Sequence, residues 1–258
     1  MRHARPSVLI FSGFGLNCED ETKFVFEAVG ARADIVHLND VIASTRILRR
    51  YEVAVFPGGF SYGDDAGSGK AYGKRVLHHL GEELQSFLSR DTLMAGICNG
   101  FQIVTAAGIL PGALIANDSA RYTCRWVDLE VAGETPWLSS LTHLSLPVAH
   151  GEGKYYDTEK KLDALEKNGQ VALRYVKGEV SKNQRLPKNP NGALRDIAGI
   201  TGYEGRVFGL MPHPERGSFF TQLPHWTALR PQYMKEGKPL PTKADGIKIF
   251  ENAVTYFA

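Results

Sequence analysis

Continuous apolar runs, each closed by turn-forming residues, punctuate the first hundred positions. Ser7 to Phe11 stops at a Gly13-Phe14-Gly15-Leu16-Asn17 turn, Tyr51 to Phe56 at Pro57-Gly58-Gly59, and Thr92 to Ile97 at Cys98-Asn99-Gly100. Asp34 to Leu38 is a shorter run of the same kind. Between them the period changes from continuous to helical. Helices are expected from about Cys18 to Val29, closed by Gly30, and from Val41 to Arg50. A glycine-rich loop, Phe60 to Gly73, leads into a longer one with Val76, Leu80, Leu84, Phe87 and Leu88 on one face. Apolar strands alternating with helices argue for an α/β fold whose mostly parallel sheet is covered by helices on both faces. In such sheets the functional loops gather at the carboxyl ends of the strands, so the three glycine-rich turns should share one rim.

The alternation weakens after Gly108. Tyr122 to Val131 and Leu144 to Ala149 read as strands with no long helix between them, so the second half of the sheet is expected to be mixed or antiparallel. A short helix (Thr158 to Lys167), a strand (Gln170 to Val176) and a hairpin around Tyr203-Glu204-Gly205 follow. Lys177 to Arg195 is polar, basic and broken by Pro187 and Pro190, which suggests a solvated surface excursion. Arg216 to Ala244 reads as irregular. A closing helix, Asp245 to Phe257, carries Ile247, Phe250, Val254 and Phe257 on one face and should dock on the body. The expected organisation is a single domain over 1–258, with an extension from about 217–258.

Composition narrows the function classes. The 258 residues are 43% hydrophobic and 22% charged, with a formal charge of +2 and no long block of either sign, so neither a nucleic-acid footprint nor a membrane surface stands out. No run reaches the ~20 apolar residues of a membrane span. Basic Met1 to Arg5 precedes an apolar stretch, but Ser12 and Gly13 end it too early for a secretory signal. Cys18, Cys98 and Cys124 are widely separated and lack zinc-site spacing, a pattern suited to a reducing cytoplasm, and no metal or cofactor is expected in this chain.

The chemistry centres on Gly96-Ile97-Cys98-Asn99-Gly100, where a strand turns sharply into a helix. A nucleophile elbow needs this grammar, with glycines two positions either side letting strand and helix approach. A thiol there faces unpaired N–H groups and the positive helix end, which favour the thiolate. The alternative, a small buried hydrophobe, is the common fate of free cysteines. A cysteine nucleophile needs a base and the base an orienter. Pro212-His213-Pro214-Glu215 supplies both: the prolines favour extended chain, in which residues two apart point the same way and Glu215 can hold the His213 ring. His150, between Ala149 and Gly151-Glu152, is the serious rival among the eight histidines. His78 and His79 sit mid-helix and His3 in a loose terminus. Backbone N–H groups at Gly58, Gly59 and Asn99 are candidates for the oxyanion hole.

Other motifs fail on inspection. Gly13-x-Gly15 lacks its third glycine, and Glu19-Asp20-Glu21 would repel a pyrophosphate. The same carboxylates should raise the Cys18 pKa and weaken it as a nucleophile. Gly69-Lys70 has Asp64 and Ala71 where a phosphate loop needs glycine and Ser or Thr. Cys124, within a strand, reads as core.

With these stretches assembled, the chain resembles the class I (triad-type) glutamine amidotransferases, and within them the glutaminase subunits of phosphoribosylformylglycinamidine synthases. The carrying segments are Pro57 to Asp64, Gly96 to Gln102, Ala149 to Gly153 and Met211 to Arg216, spread over roughly Val8 to Arg216. The resemblance implies a Cys98, His213, Glu215 triad that releases ammonia from glutamine, with Gln102, His150 and Gly151 contacting the substrate. It implies a large synthetase subunit as partner, a small accessory subunit beside it, and ATP and magnesium on the synthetase rather than here. The ammonia would convert formylglycinamide ribonucleotide to formylglycinamidine ribonucleotide in purine biosynthesis. A cysteine peptidase or stress protein sharing the elbow, and a regulatory module without chemistry, are the competing readings.

Overall fold

A computed structural model describes residues 5–65 and 67–258; the terminus around His3 lies outside the described residues. Strand β1 (Ser7–Ser12), helix α1 (Glu19–Ala28), β2 (Arg32–His37), α2 (Leu38–Ala43), β3 (Val53–Phe56), α3 (Lys70–Leu88), β4 (Leu93–Ile97) and α4 (Asn99–Ala106) make the first half. The second half holds β5 (Ala113–Ile115), β6 (Thr123–Val131), β7 (His143–His150), β8 (Lys154–Tyr156), α5 (Glu159–Lys167), β9 (Val171–Val176), α6 (Glu179–Gln184), β10 (Ile197–Gly202) and β11 (Val207–Leu210). Helices α7 (Trp226–Lys235) and α8 (Asp245–Thr255) close the chain.

Nine of these strands form one sheet in the order β2-β1-β3-β4-β11-β10-β9-β6-β7. From β2 to β11 every pairing is parallel; from β11 to β7 every pairing is antiparallel. The expected division into a parallel half and an antiparallel half therefore holds, and β11 is the strand where they meet. β3, β4, β10 and β11 are buried at every position, as their continuous apolar runs require of a sheet covered on both faces. Phe11 and Phe56 stack at 4.1 Å between centroids within this core. Each such fully buried side chain contributes about 1.5–3 kcal/mol by leaving water. The closing helix docks as its apolar face predicts, with Phe250 meeting Phe26 of α1 edge-on at 4.9 Å.

Several expectations are corrected. The second helix is two short pieces, α2 and a 3-10 segment over Thr45–Arg50, because Ser44 at φ −144°, ψ 76° breaks the helical path. The 177–195 excursion is not merely solvated surface. It contains α6, whose first turn is tied to buried Asp128 through Ser181 N and Oγ at 2.8 and 2.7 Å, and it buries Asn191. The stretch from Arg216 onward is not wholly irregular, since α7 forms with Pro231 inside it, where proline removes one helical hydrogen bond. Cys124 is exposed on β6 rather than in the core. Among the described residues no helix is long and apolar enough to cross a membrane.

Candidate active site

The register of two neighbouring strands brings the distant candidates together. In the parallel pair β4 and β11, Ile97 lies opposite Leu210, so Cys98 and Met211 both leave the sheet at the same carboxyl edge. The Cys98 N–H donates to Leu210 O at 2.8 Å, fastening the bend to the strand that leads into Pro212-His213. The His213 N–H in turn donates to Pro147 O of β7 at 2.8 Å. A separation of more than a hundred positions is thus closed by one strand spacing.

The elbow is strained as its sequence requires. Cys98 sits at φ 51°, ψ −106°, a costly conformation for a residue with a side chain, and directly precedes α4. The flanking glycines are steric necessities. A Cβ on Gly96 would lie 2.6 Å from Gly100 O, and one on Gly100 would collide with Phe56 O of β3. The Cys98 sulfur is buried, 3.7 Å from Ala149 O.

His213 and Glu215 are buried, and the His213 Nδ1 to Glu215 Oε1 distance is 2.6 Å. The extended geometry expected of this segment is not what joins them: Pro214–Arg216 is a 3-10 turn, and the turn brings the carboxylate back to the ring nitrogen Nδ1. Burial opposes protonation of His213. The Glu215 carboxylate and the Cys98 sulfur outweigh it, and the imidazole pKa is held well above its ordinary value. A thiol and an imidazole so placed can exchange a proton, with the carboxylate fixing the ring and stabilising its charged form.

The remaining candidates occupy the same rim. Gly58 presses on the site, since a Cβ there would lie 2.7 Å from His213 Cε1 and 2.9 Å from Cys18 Sγ. Gly59 is held beside Leu16 by an isolated antiparallel bridge. The Asn99 side chain accepts from Ser61 N at 3.0 Å and donates to Gln102 Oε1 at 2.7 Å, while Gln102 Nε2 donates to Glu152 O at 2.6 Å. One chain of amides therefore ties the loop after β3, the elbow and the turn after β7. His150 is a strut of that turn. Its Nδ1 lies 3.2 Å from Asn117 Oδ1 and its Nε2 3.4 Å from Asn191 Nδ2, and burial followed by the positive His213 lowers its pKa to about 3. It is thereby kept neutral and enclosed, away from the role of rival base.

Two neighbours of the triad, Cys18 and Arg216, were not expected to touch it from the sequence. Cys18 Sγ accepts from Arg216 Nη2 at 3.0 Å and packs against His213, while Arg216 Nη2 also reaches Glu21 Oε1 at 2.9 Å. The Cys18 pKa is raised as expected, but the cause is corrected: burial comes first and the charge of Glu215 adds to it, not Glu19, Asp20 or Glu21. The signal was present, because Cys18 follows the first glycine turn at the shared rim. Asn117 and Asn191 left no local signature, since each acts through a partner distant in sequence. Phe60 and Tyr122, both exposed, meet at 6.1 Å across the mouth of the rim.

Comparison with known proteins accords with this geometry. The model of the CobB/CobQ-like glutamine amidotransferase domain family matches residues 5–257. A phosphoribosylformylglycinamidine synthase subunit PurQ of Methanococcus maripaludis (strain C7) is 42% identical, the alignment covering 98% of this chain and 97% of the relative. Its counterpart from Dehalococcoides mccartyi is 38% identical over 98% of each chain. The solved structure of PurLQS from Thermotoga maritima superposes with a TM-score of 0.74 at 29% identity, covering 99% of this chain and 100% of the matched one.

Proposed function

Because this chain belongs to the CobB/CobQ-like glutamine amidotransferase family, as a glutaminase subunit of phosphoribosylformylglycinamidine synthase, we propose that Cys98, His213 and Glu215 carry out its amide hydrolysis. The subunit supplies ammonia to a synthetase partner for the formation of formylglycinamidine ribonucleotide. The single observation that carries the assignment of residues is the strained Cys98 elbow, one strand spacing from a buried His213 and Glu215 pair.

In this reading the Cys98 sulfur attacks the carboxamide carbon of glutamine, and the developing oxyanion is met by backbone N–H groups at Gly58, Gly59 and Asn99. His213, charged through its partners, gives its proton to the departing nitrogen as the C–N bond breaks. Ammonia leaves and a thioester remains. The now neutral imidazole removes a proton from water, whose oxygen attacks the thioester carbon, and glutamate departs as Cys98 is restored. Glu215 holds the ring throughout. Gln102 and the Gly151 turn shape the glutamine pocket, whereas His150 acts by supporting that turn. We assign ATP and magnesium to the synthetase partner. In this chain Gly69 packs against Gln102 and the Ile103 backbone, where a Cβ would meet atoms at 2.6–2.8 Å.

We also read 1–258 as one domain whose extension from about 217 completes the fold around α8, and the cytoplasm as its compartment. The test is Cys98→Ala, assayed together with the synthetase subunit. Glutamine hydrolysis is expected to vanish while circular dichroism and complex formation persist; hydrolysis retained by the folded variant overturns the assignment. Labelling with a glutamine-mimicking electrophile, mapped by mass spectrometry, should modify Cys98 alone.

A further inference from the structure

Behind the imidazole lies a second group of metal-type donors that the glutaminase reaction does not use as a set. Cys18, His213 and Glu215 each present a ligand atom, all three within 4.8 Å of one another, and all three residues are buried. Two polar atoms of the group, His213 Nε2 and Glu215 Oε2, are buried without a hydrogen-bond partner. Sulfur, imidazole nitrogen and carboxylate oxygen together form a donor set suited to zinc, and three protein ligands leave a fourth position open. The positions 18, 213 and 215 have none of the spacing by which such sites are recognised in sequence.

We propose that Cys18, His213 and Glu215 form an inhibitory site for a soft divalent cation, with zinc as its ligand. Charge supports this. A Cys18 thiolate and the Glu215 carboxylate balance the two positive charges of the ion, and the nearby Arg216 is offset by Glu21 at 2.9 Å. Binding releases two protons to solvent, one from the Cys18 thiol and one from the charged His213 ring, whose freed lone pair then takes the metal. With an ion on one ring nitrogen, the other retains the ring proton, and His213 can no longer pass a proton to and fro. The inhibitory consequence rests on the proposed role of His213; the site itself does not.

Cobalt is the probe, because a thiolate bound to it gives a charge-transfer band in the near ultraviolet. The reduced, metal-free full chain is titrated with Co2+ and then with competing Zn2+. The wild type and Cys98→Ala should both develop the band and lose it to zinc, whereas Cys18→Ala and the near-isosteric Cys18→Ser should not. The serine variant provides the comparison if alanine disturbs folding. Loss of an outer-shell partner alone typically weakens metal binding about 10–100-fold, so loss of this ligand should shift the midpoint of zinc inhibition by at least that much, each complex being referred to its own metal-free rate. A wild type without the band, or a band kept by both Cys18 variants and lost in Cys98→Ala, overturns the proposal. The band is read without turnover, so its absence and a failure of the glutaminase assignment are separate results.

Discussion

At the scale of single residues, the site is a problem of holding charge in a buried place. His213 is raised well above its ordinary pKa against the opposing effect of burial, and Glu215 is the first of the groups that raise it. Replacing the carboxylate by an amide of the same shape removes the charge and leaves the burial. Glu215→Gln should therefore lower the His213 pKa and reduce kcat for glutamine hydrolysis by about 10²–10⁴, the usual range for disabling a general acid–base residue, with a smaller change in KM. The measurement is steady-state hydrolysis in the assembled complex across pH, and an unchanged kcat would remove Glu215 from the mechanism. Gly100 shows the same scale acting on the backbone. Its missing Cβ lets α4 approach Phe56 O, and this is the requirement that made the elbow legible in sequence.

Elements explain what sequence could and could not reveal. Strands with continuous apolar runs, and the bend that follows β4, were readable because their information is local: side-chain periodicity, glycine spacing and a thiol in one short window. The 177–195 segment was not, because its order depends on groups elsewhere. Asp128 on β6 accepts from Ser181 N and Oγ and from Ser145 Oγ, and so pins α6 to the sheet. Burial works against its ionisation, yet these donors hold the carboxyl below its ordinary pKa. Asn191 then donates to Gly153 O at 2.8 Å and reaches His150, carrying the segment to the edge of the glutamine site. Nothing in a basic, proline-broken stretch announces a buried amide. Asn191→Ala should cost about 1–3 kcal/mol, the penalty for leaving buried partners unsatisfied, and raise KM for glutamine more than it lowers kcat. Denaturant melts and hydrolysis kinetics would check both. Unaltered stability together with unaltered KM would return the segment to mere surface.

For the whole molecule, the two halves of the sheet join chemistries that neither contains alone. The parallel half brings Cys98 to the rim, and the antiparallel half, through β7 and the turn behind it, supplies the supports of His213 and the enclosed His150. The two histidines are shifted in opposite directions, so the protein's stability should depend on pH from both sides. His150 is lowered from 6.5 to about 3, so between those values the unfolded chain binds a proton that the folded one does not. Its contribution is intact above the unfolded pKa and is lost as pH falls below it, at up to about 1.4 kcal/mol per pH unit. His213 is raised, so its contribution is complete below 6.5 and is lost only as pH rises through its folded value. It therefore does not offset His150 in acid. Asp128, held below 3.8, adds its own loss only at the acid end of the range. Denaturant unfolding between pH 7 and pH 4.5 should thus show stability falling in the wild type, and falling less steeply in His150→Gln, which keeps an amide but cannot take up the proton. Equal slopes in the two proteins would mean that burial of this imidazole is not what makes the fold sensitive to acid.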